Sequence, residues 1–393
     1  MPCYRSSFRP VLSVVAASLL SACGGAGGSS SPATIPAASS SGRAVAAASV
    51  RREIAQPTCT GSGISSFVGG GDSNVAEGEW STVGAGVGDD ACASQSSILG
   101  GGYNGIDTGS AEATISGGYE NAESGAPNSA IGGGRLNVVT AQYGAIASGS
   151  LNTVSGAYGF DGGGQRNSAG GAWGTIGGGY GNQAAEIATV PGGKNNLATG
   201  EGSFAAGVGS TAAYAGDFVW SDFASGATAL KGSAANQFLA RASGGVTFYS
   251  SPTLASGVKL AAGSGTWASL SDRNAKSGIV PVSDDDILAR VATLPISKWS
   301  YTTERGVRHV GPMAQDFFAA FNVGEDDRHI TSIDEDGVAL AAIKALNERQ
   351  SATNATLARK DAQIQALQRS DADLRRQMAQ LAGEVNALRR SHR

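Results

Sequence analysis

The chain has 393 residues, with 28 Lys and Arg against 32 Asp and Glu, a net charge of −4 at pH 7 and only 15% charged residues. That length leaves room for several domains, and the acidic balance provides no basic footprint for nucleic acid. Glycine is unusually abundant, at 59, and aromatics make up 6%, which argues against one large conventional core and makes repetition the source of burial; collagen is excluded because the G-X-Y period is missing.

Arg5 and Arg9 precede an apolar run over residues 11–20 that is too short to span a membrane. The run ends in Leu20-Ser21-Ala22-Cys23. An apolar residue, two small ones and a cysteine resemble a bacterial lipoprotein signal, which implies a signal peptide over 1–22 and lipidation of Cys23. Gly24, not Asp, follows, and in Gram-negative families of this kind that resembles outer-membrane sorting. The expectation is a lipid-anchored protein at the cell surface with no transmembrane helix. Residues 23–60 begin rich in Ser, Ala, Gly and Pro and form a flexible tether. Cys59 and Cys92 would share an oxidising compartment, and their spacing neither requires nor forbids a disulfide. Two cysteines with no nearby histidine give no metal site, and no cofactor is expected.

Residues 61–210 repeat. Val68-Gly69-Gly70-Gly71-Asp72-Ser73-Asn74 returns over 98–104, 115–121, 131–137, 146–152, 176–182 and 190–196, with degenerate copies at 83–89 and 161–167. The first positions are spaced 15, 15, 17, 16, 15, 15, 15 and 14 residues apart, the regularity of a solenoid. Short alternating stretches bounded by glycine pairs favour β over α; glycine supplies positive φ at turns and Asn tolerates αL. The recurrent Ile-x-Gly-Gly-x-x-Asn core resembles the head repeat of trimeric adhesins of the YadA type. That resemblance implies a left-handed parallel β-roll assembled as a trimer. Asp161 departs from it at a core position, with Phe160 beside it as the alternative apolar residue. No C-terminal membrane-barrel segment follows, so a lipid would do the anchoring that a barrel does in that family. The calcium-binding nonapeptide roll is disfavoured, because neither its period of nine nor an aspartate in every turn is present.

Residues 211–268 read as a β connector and trimer cap, with strands around Phe238-Leu239 and Val246–Phe248 and a glycine turn between them. The composition then changes at Leu270-Ser271-Asp272-Arg273-Asn274-Ala275-Lys276. A serine and a lysine five apart lie about 140° apart around a helix, so only a bend brings them together; Asn274 and Ser277-Gly278 suit one. Lysine is a base for serine when burial lowers its pKa. This stretch, the Asp-rich helix start at Asp284-Asp285-Asp286, Trp299-Ser300-Tyr301, the His309 to Phe317 run (residues 309–317) and Gly337-Val338-Ala339-Leu340 resemble the intramolecular chaperone of phage endosialidase tailspikes, peptidase serine family seventy-four. Ala275 departs mildly, since a larger aliphatic often precedes the lysine. The resemblance, over 269–345 and slightly beyond, implies self-cleavage in cis within a homotrimer. Ser271 would then be the nucleophile and Lys276 its general base. The cut would fall at Leu270-Ser271 in preference to Ser271-Asp272. Asp272 either orients Lys276 or caps the bend; His309 and His329 match no motif position and are structural.

A heptad runs over 343–393, with Ile343, Leu357, Ile364, Met378 and Val385 at a and Leu346, Leu367, Leu374, Leu381 and Leu388 at d. It predicts a trimeric coiled coil, in which polar Gln350, Thr353, Lys360 and Asp371 fix register. In all, the fold class is mainly β: a solenoid head, a small α+β chaperone domain and a coiled coil. The order of parts predicts a surface-anchored trimeric fibre or adhesin-like lipoprotein that removes its own chaperone, with a phage tail-fibre protein as the alternative. No paired acidic residues point to an external substrate, and nothing in the residues names a host or surface ligand.

Overall fold

A computed structural model describes residues 59–391 apart from residues 62 and 225–226; Cys23 and most of the expected tether lie outside them. One compact unit runs to Phe218 and includes Lys231–Gln237, and the second holds Val219–Leu230 and the chain from Phe238 onward.

The first unit is a parallel β-solenoid of about ten coils. Each coil contributes one two-residue strand to each of two sheets, for example Ser97–Ile98 and Gly105–Ile106. Strands pair with their equivalents one coil away, so Val68 lies opposite Val83, Val83 opposite Ile98 and Ile98 opposite Ile115. The pairing offset is the repeat length read from the sequence. In both rows the second residue of the strand points inward, and Ile98, Ile106, Ile115, Ile131, Val139, Ile146, Val154 and Ile176 are fully buried. One coil has two such positions and no core of its own; stacking supplies it.

Two corners per coil are left-handed. Tyr143, Tyr158 and Trp173 take φ of 55–59° at one, and Leu136, Leu151 and Arg166 take 56–61° at the other. The repeat's Asn does not occupy αL, as expected above; the residue before it does. A non-glycine αL residue is strained by roughly 1–2 kcal/mol, and here each amide finds a partner one coil back, as in Leu136 N–H to the Tyr119 carbonyl at 3.0 Å and Tyr158 N–H to the Gln142 carbonyl at 3.1 Å. The glycine before this corner has no room for a side chain. At Gly134, with φ of 95°, a Cβ would lie 2.1 Å from the Gly149 carbonyl oxygen.

The Asn side chains form a buried ladder through Asn104, Asn121, Asn137, Asn152, Asn167, Asn182 and Asn196. Asn137 Oδ1 accepts from Asn152 N–H at 3.0 Å, and its Nδ2 donates to the carbonyls of Gly133 and Gly149, each at 2.9 Å. One amide thus closes its own corner and joins it to the next coil, which satisfies backbone groups that the two-residue strands leave over. The ladder ends at Ser210, whose N–H donates to Asn196 Oδ1 at 3.0 Å and whose Oγ donates to the Ala206 carbonyl.

Three carboxylates interrupt this pattern. Asp161 fills an inward position opposite Ile146 and Ile176 and is fully buried, whereas Phe160 faces outward. Phe160 therefore does not substitute for the missing aliphatic. Asp161 Oδ1 accepts from Gly163 N–H at 2.9 Å, its Oδ2 has no partner, and burial raises its pKa to about 6. Glu123 sits inward in the other row, between Ile106 and Val139. The Ser129 hydroxyl is close by but donates to the Ala126 carbonyl, so neither carboxyl oxygen has a well-formed hydrogen bond, and burial, only partly offset by Ser129, raises its pKa to about 8. Asp89 takes an Asn position in the ladder; it accepts from Asn104 through Oδ1, and Oδ2 is left unpaired.

Cys59 and Cys92 form a disulfide, settling the pairing that their spacing left open.

In the second unit, Gly245–Tyr249, Gly257–Ala261 and Trp267–Ser269 make a three-stranded antiparallel sheet. The strand Phe238–Arg241 precedes it and does not pair with it; Arg241 Nε bonds Asp222 at 2.9 Å instead. Helix α1 (Asp284–Thr293) is capped by Ser283, whose Oγ accepts from Asp286 N–H. A two-stranded antiparallel ribbon, Ser297–Trp299 with His309–Gly311, follows, then α2 (Ala314–Phe321) and α3 (Ser332–Ser391). Helix α3 starts earlier than the heptad because Thr331 and Asp334 cap it: Thr331 Oγ1 accepts from Asp334 N–H and donates to Asp334 Oδ2. Its contact with α1 is fixed by Arg349–Asp285 at 2.9 Å and by Lys344–Asp284. Among the described residues no helix is long and apolar enough to cross a membrane.

Candidate functional site

The seam begins where the three-stranded sheet ends. Leu270 N–H donates to the Gly257 carbonyl at 3.0 Å, which holds the residue before Ser271 against the sheet. A single 3₁₀ turn, Arg273–Ala275, follows. Asp272 Oδ1 accepts from Asn274 N–H at 2.9 Å and from Asn274 Nδ2 at 3.2 Å. Of the two roles open to Asp272, the structure puts it in the cap. Lys276 leaves the turn in an extended conformation, φ −118° and ψ 147°, and its amide donates back to the Arg273 carbonyl. This reversal returns its side chain to the start of the turn, where Nζ donates to Ser271 Oγ at 2.7 Å. The bend required by the five-residue spacing is present, and it brings the two side chains into contact.

The pair lines a shallow hollow of about 240 Å³ with Arg273 and Ile279. Arg273 was not singled out in the sequence, because a cation inside the bend looks like any other surface charge until the turn aims it. The surroundings are open. Residues 265–282 are nearly all exposed, among them Leu270, Ile279, Val280 and Val282. Beyond residue 240 the buried apolar residues are Phe317, Ala342 and Ala345 among those described. A unit with that much exposed aliphatic surface has not buried its core within one chain.

His309 is held by Glu304, Nε2 to Oε2 at 2.9 Å, and packs on Trp299 with ring centroids 4.7 Å apart. His329 pairs with Asp326, whose carboxyl is held below the usual range first by the Arg328 amide and then by His329. Both histidines are engaged in contacts within their own loops and ribbon. The described residues contain no cluster of His, Cys, Asp or Glu able to hold a metal ion.

A family model described as the chaperone of endosialidase matches residues 271–323, from the serine of the pair through α2. That family implies an intramolecular chaperone and trimeric assembly, as in tailspike and fibre proteins. No curated protein matches the chain.

Proposed function

We propose that the chain is a lipid-anchored, trimeric surface fibre whose C-terminal chaperone drives assembly and then cuts itself away at Leu270-Ser271. The observation that carries this reading is the 2.7 Å contact between Lys276 Nζ and Ser271 Oγ at the start of the matched segment.

In the proposed reaction Ser271 Oγ gives its proton to the Lys276 amine and attacks the Leu270 carbonyl carbon. The Leu270–Ser271 C–N bond breaks, the departing amine of Ser271 takes a proton, and an ester joins Leu270 to Ser271 Oγ. Water then opens the ester, leaving a Leu270 carboxylate and a free Ser271 hydroxyl. A lysine acts as a base only in its neutral form, which burial favours. The exposed aliphatic residues beside the pair supply that burial once neighbouring copies cover them. The exposed heptad stripe of α3 supports a three-stranded coil that brings the copies together in register. Such a coil addresses a kinetic problem, since long-range β pairing between chains is slow and prone to slippage. The β-solenoid upstream is the mature shaft in this reading, a left-handed head of the YadA type, and Cys23 its attachment to the outer membrane.

Intact-mass analysis of the expressed chain tests the chemistry. Wild type should yield two fragments meeting at Leu270-Ser271, while Ser271→Ala and Lys276→Ala stay whole; trimeric wild type that remains full length would end the autoprotease reading. A palmitate analogue tests the anchor: label lost in Cys23→Ala supports it, and no label on wild type refutes it.

A further inference from the structure

Between residues 59 and 210 the chain has three cationic side chains, Arg135, Arg166 and Lys194, among many carboxylates. All three project from one corner of the solenoid. Tyr119, Arg135, Ser150, Gln165, Tyr180 and Lys194 are in-register partners along a row of parallel bridges, and Arg166 is next to Gln165. Random placement around the coils would scatter three residues over several faces.

The cations are built in, and they are not neutralised. The Arg135 guanidinium lies over the Tyr119 ring at 5.6 Å, and Lys194 Nζ lies over the Tyr180 ring at 5.6 Å. Arg166 Nη1 donates to Tyr180 Oη at 3.0 Å. A tyrosine beneath a cation orders it without cancelling its charge. Among the described ion pairs none includes these three residues, and all three are exposed. Along the same corner the row of bridges also holds Asp72, and Glu120 is next to Tyr119.

We infer that this corner binds a linear acidic polysaccharide laid along the solenoid axis. The two cation-over-tyrosine units are four coils apart, ~19 Å at the strand spacing of a parallel sheet, the length of a short oligosaccharide. Between them Ser150 and Gln165 offer neutral hydrogen-bonding groups suited to hydroxyls. The sparse charge also selects the ligand. Nucleic acid, with one phosphate per strand every ~3.4 Å of duplex axis, would be repelled by the acidic residues on the rest of the coil, whereas a glycan charged once every two sugars meets a cation without crowding the carboxylates. Three copies in a trimer would raise affinity through avidity. The inference gives the proposed fibre a ligand, and it is read by binding, so it can fail while self-cleavage stands, and the reverse.

The test is titration of the full chain with a hyaluronan octasaccharide, a chondroitin sulfate octasaccharide, a neutral chitin oligomer of similar length, and a polyglutamate peptide of equal charge. Binding of either acidic glycan, weakened by added salt and at least 10-fold weaker for Arg135→Gln/Arg166→Gln/Lys194→Gln, supports the inference. Hyaluronan carries one carboxylate per disaccharide and chondroitin sulfate carries the same carboxylate plus a sulfate, so tighter binding of the second reads the contribution of sulfate. Glu112→Gln, at a different corner, should leave binding unchanged. Equal binding of the chitin oligomer or polyglutamate, an unaltered triple variant, or a triple variant that falls apart into single chains would each overturn it, the last by making the corner an interface between copies.

Discussion

Replacing Glu123 by Gln should make the solenoid more stable at neutral pH and indifferent to the change in acid. The side chain is 1% exposed, stands between Ile106 and Val139, and has no well-formed hydrogen bond to either oxygen. Burial moves its pKa from 4.5 to about 8, so the native state holds a proton that the unfolded chain gives up. Stability from this group is therefore complete below pH 4.5 and is lost as pH rises toward 8. At 1.36 kcal/mol per pH unit the loss is about 3 kcal/mol at pH 7 and about 5 kcal/mol above pH 8. Gln cannot ionise and keeps the shape. The assay is urea unfolding of wild type and Glu123→Gln at pH 4.5, 7 and 8.5 at one protein concentration, with the Ser271→Ala change in both so that the proposed self-cleavage cannot intervene. The other buried carboxylates titrate equally in both, so the difference between the curves isolates Glu123. Two pH profiles that run parallel would refute the argument, since Glu123 would then be no costlier to ionise in the native state than in the unfolded one.

Three further outcomes follow from the same coils. Asn137→Ala orphans Asn152 N–H and the Gly133 carbonyl and leaves the Gly149 carbonyl with only the Arg135 amide, and should cost ~3 kcal/mol, read as a lowered unfolding midpoint. Asp89→Asn should stabilise by ~1–3 kcal/mol at pH 7 by giving the unpaired Oδ2 position a donor; because burial raises the Asp89 pKa, the gain should shrink as pH falls and the native carboxyl takes its proton. Reducing Cys59–Cys92, which closes a separation of 33 residues, should remove ~3–4 kcal/mol of loop entropy and shift the thermal transition of the solenoid while leaving the proposed Ser271-dependent cleavage unaffected.

Much of this was legible in the residues. Spacings between the repeat's first positions are the register of the sheet, because a parallel solenoid pairs each residue with its own equivalent. Ser271 and Lys276 could be matched only through the resemblance of their stretch to the endosialidase chaperone; the spacing alone merely requires a bend, and the Asp272 cap on Asn274 that helps build it is visible only in the structure. The function of the Asn residues was not legible: αL tolerance is a local property, whereas the ladder exists only when two coils are stacked. Glu123 escaped notice for a related reason. The repeat was indexed on one inward row, and the second row, Ala91, Ile106, Glu123, Val139, Val154, is variable enough in size to hide among surface positions. The three cations gave no signal in sequence, since their spacings of 31 and 28 residues share a corner only after coil lengths are known.

The asparagine ladder also bears on how such a shaft could change length over generations. Each amide hands one oxygen forward and takes one from behind, so every coil has the same two connections. A duplicated coil inserted anywhere between Asn104 and Asn196 would find both connections waiting, and a deleted one would leave none broken. Coils of 14 to 17 residues already coexist, with the surplus absorbed at the corners. Only the ends are unlike the rest: Ser210 closes one, and the Cys59–Cys92 bridge fastens the other. The reach of the fibre is thus a quantity that unequal recombination can tune in single steps, each about one strand spacing, without redesigning anything that holds it together.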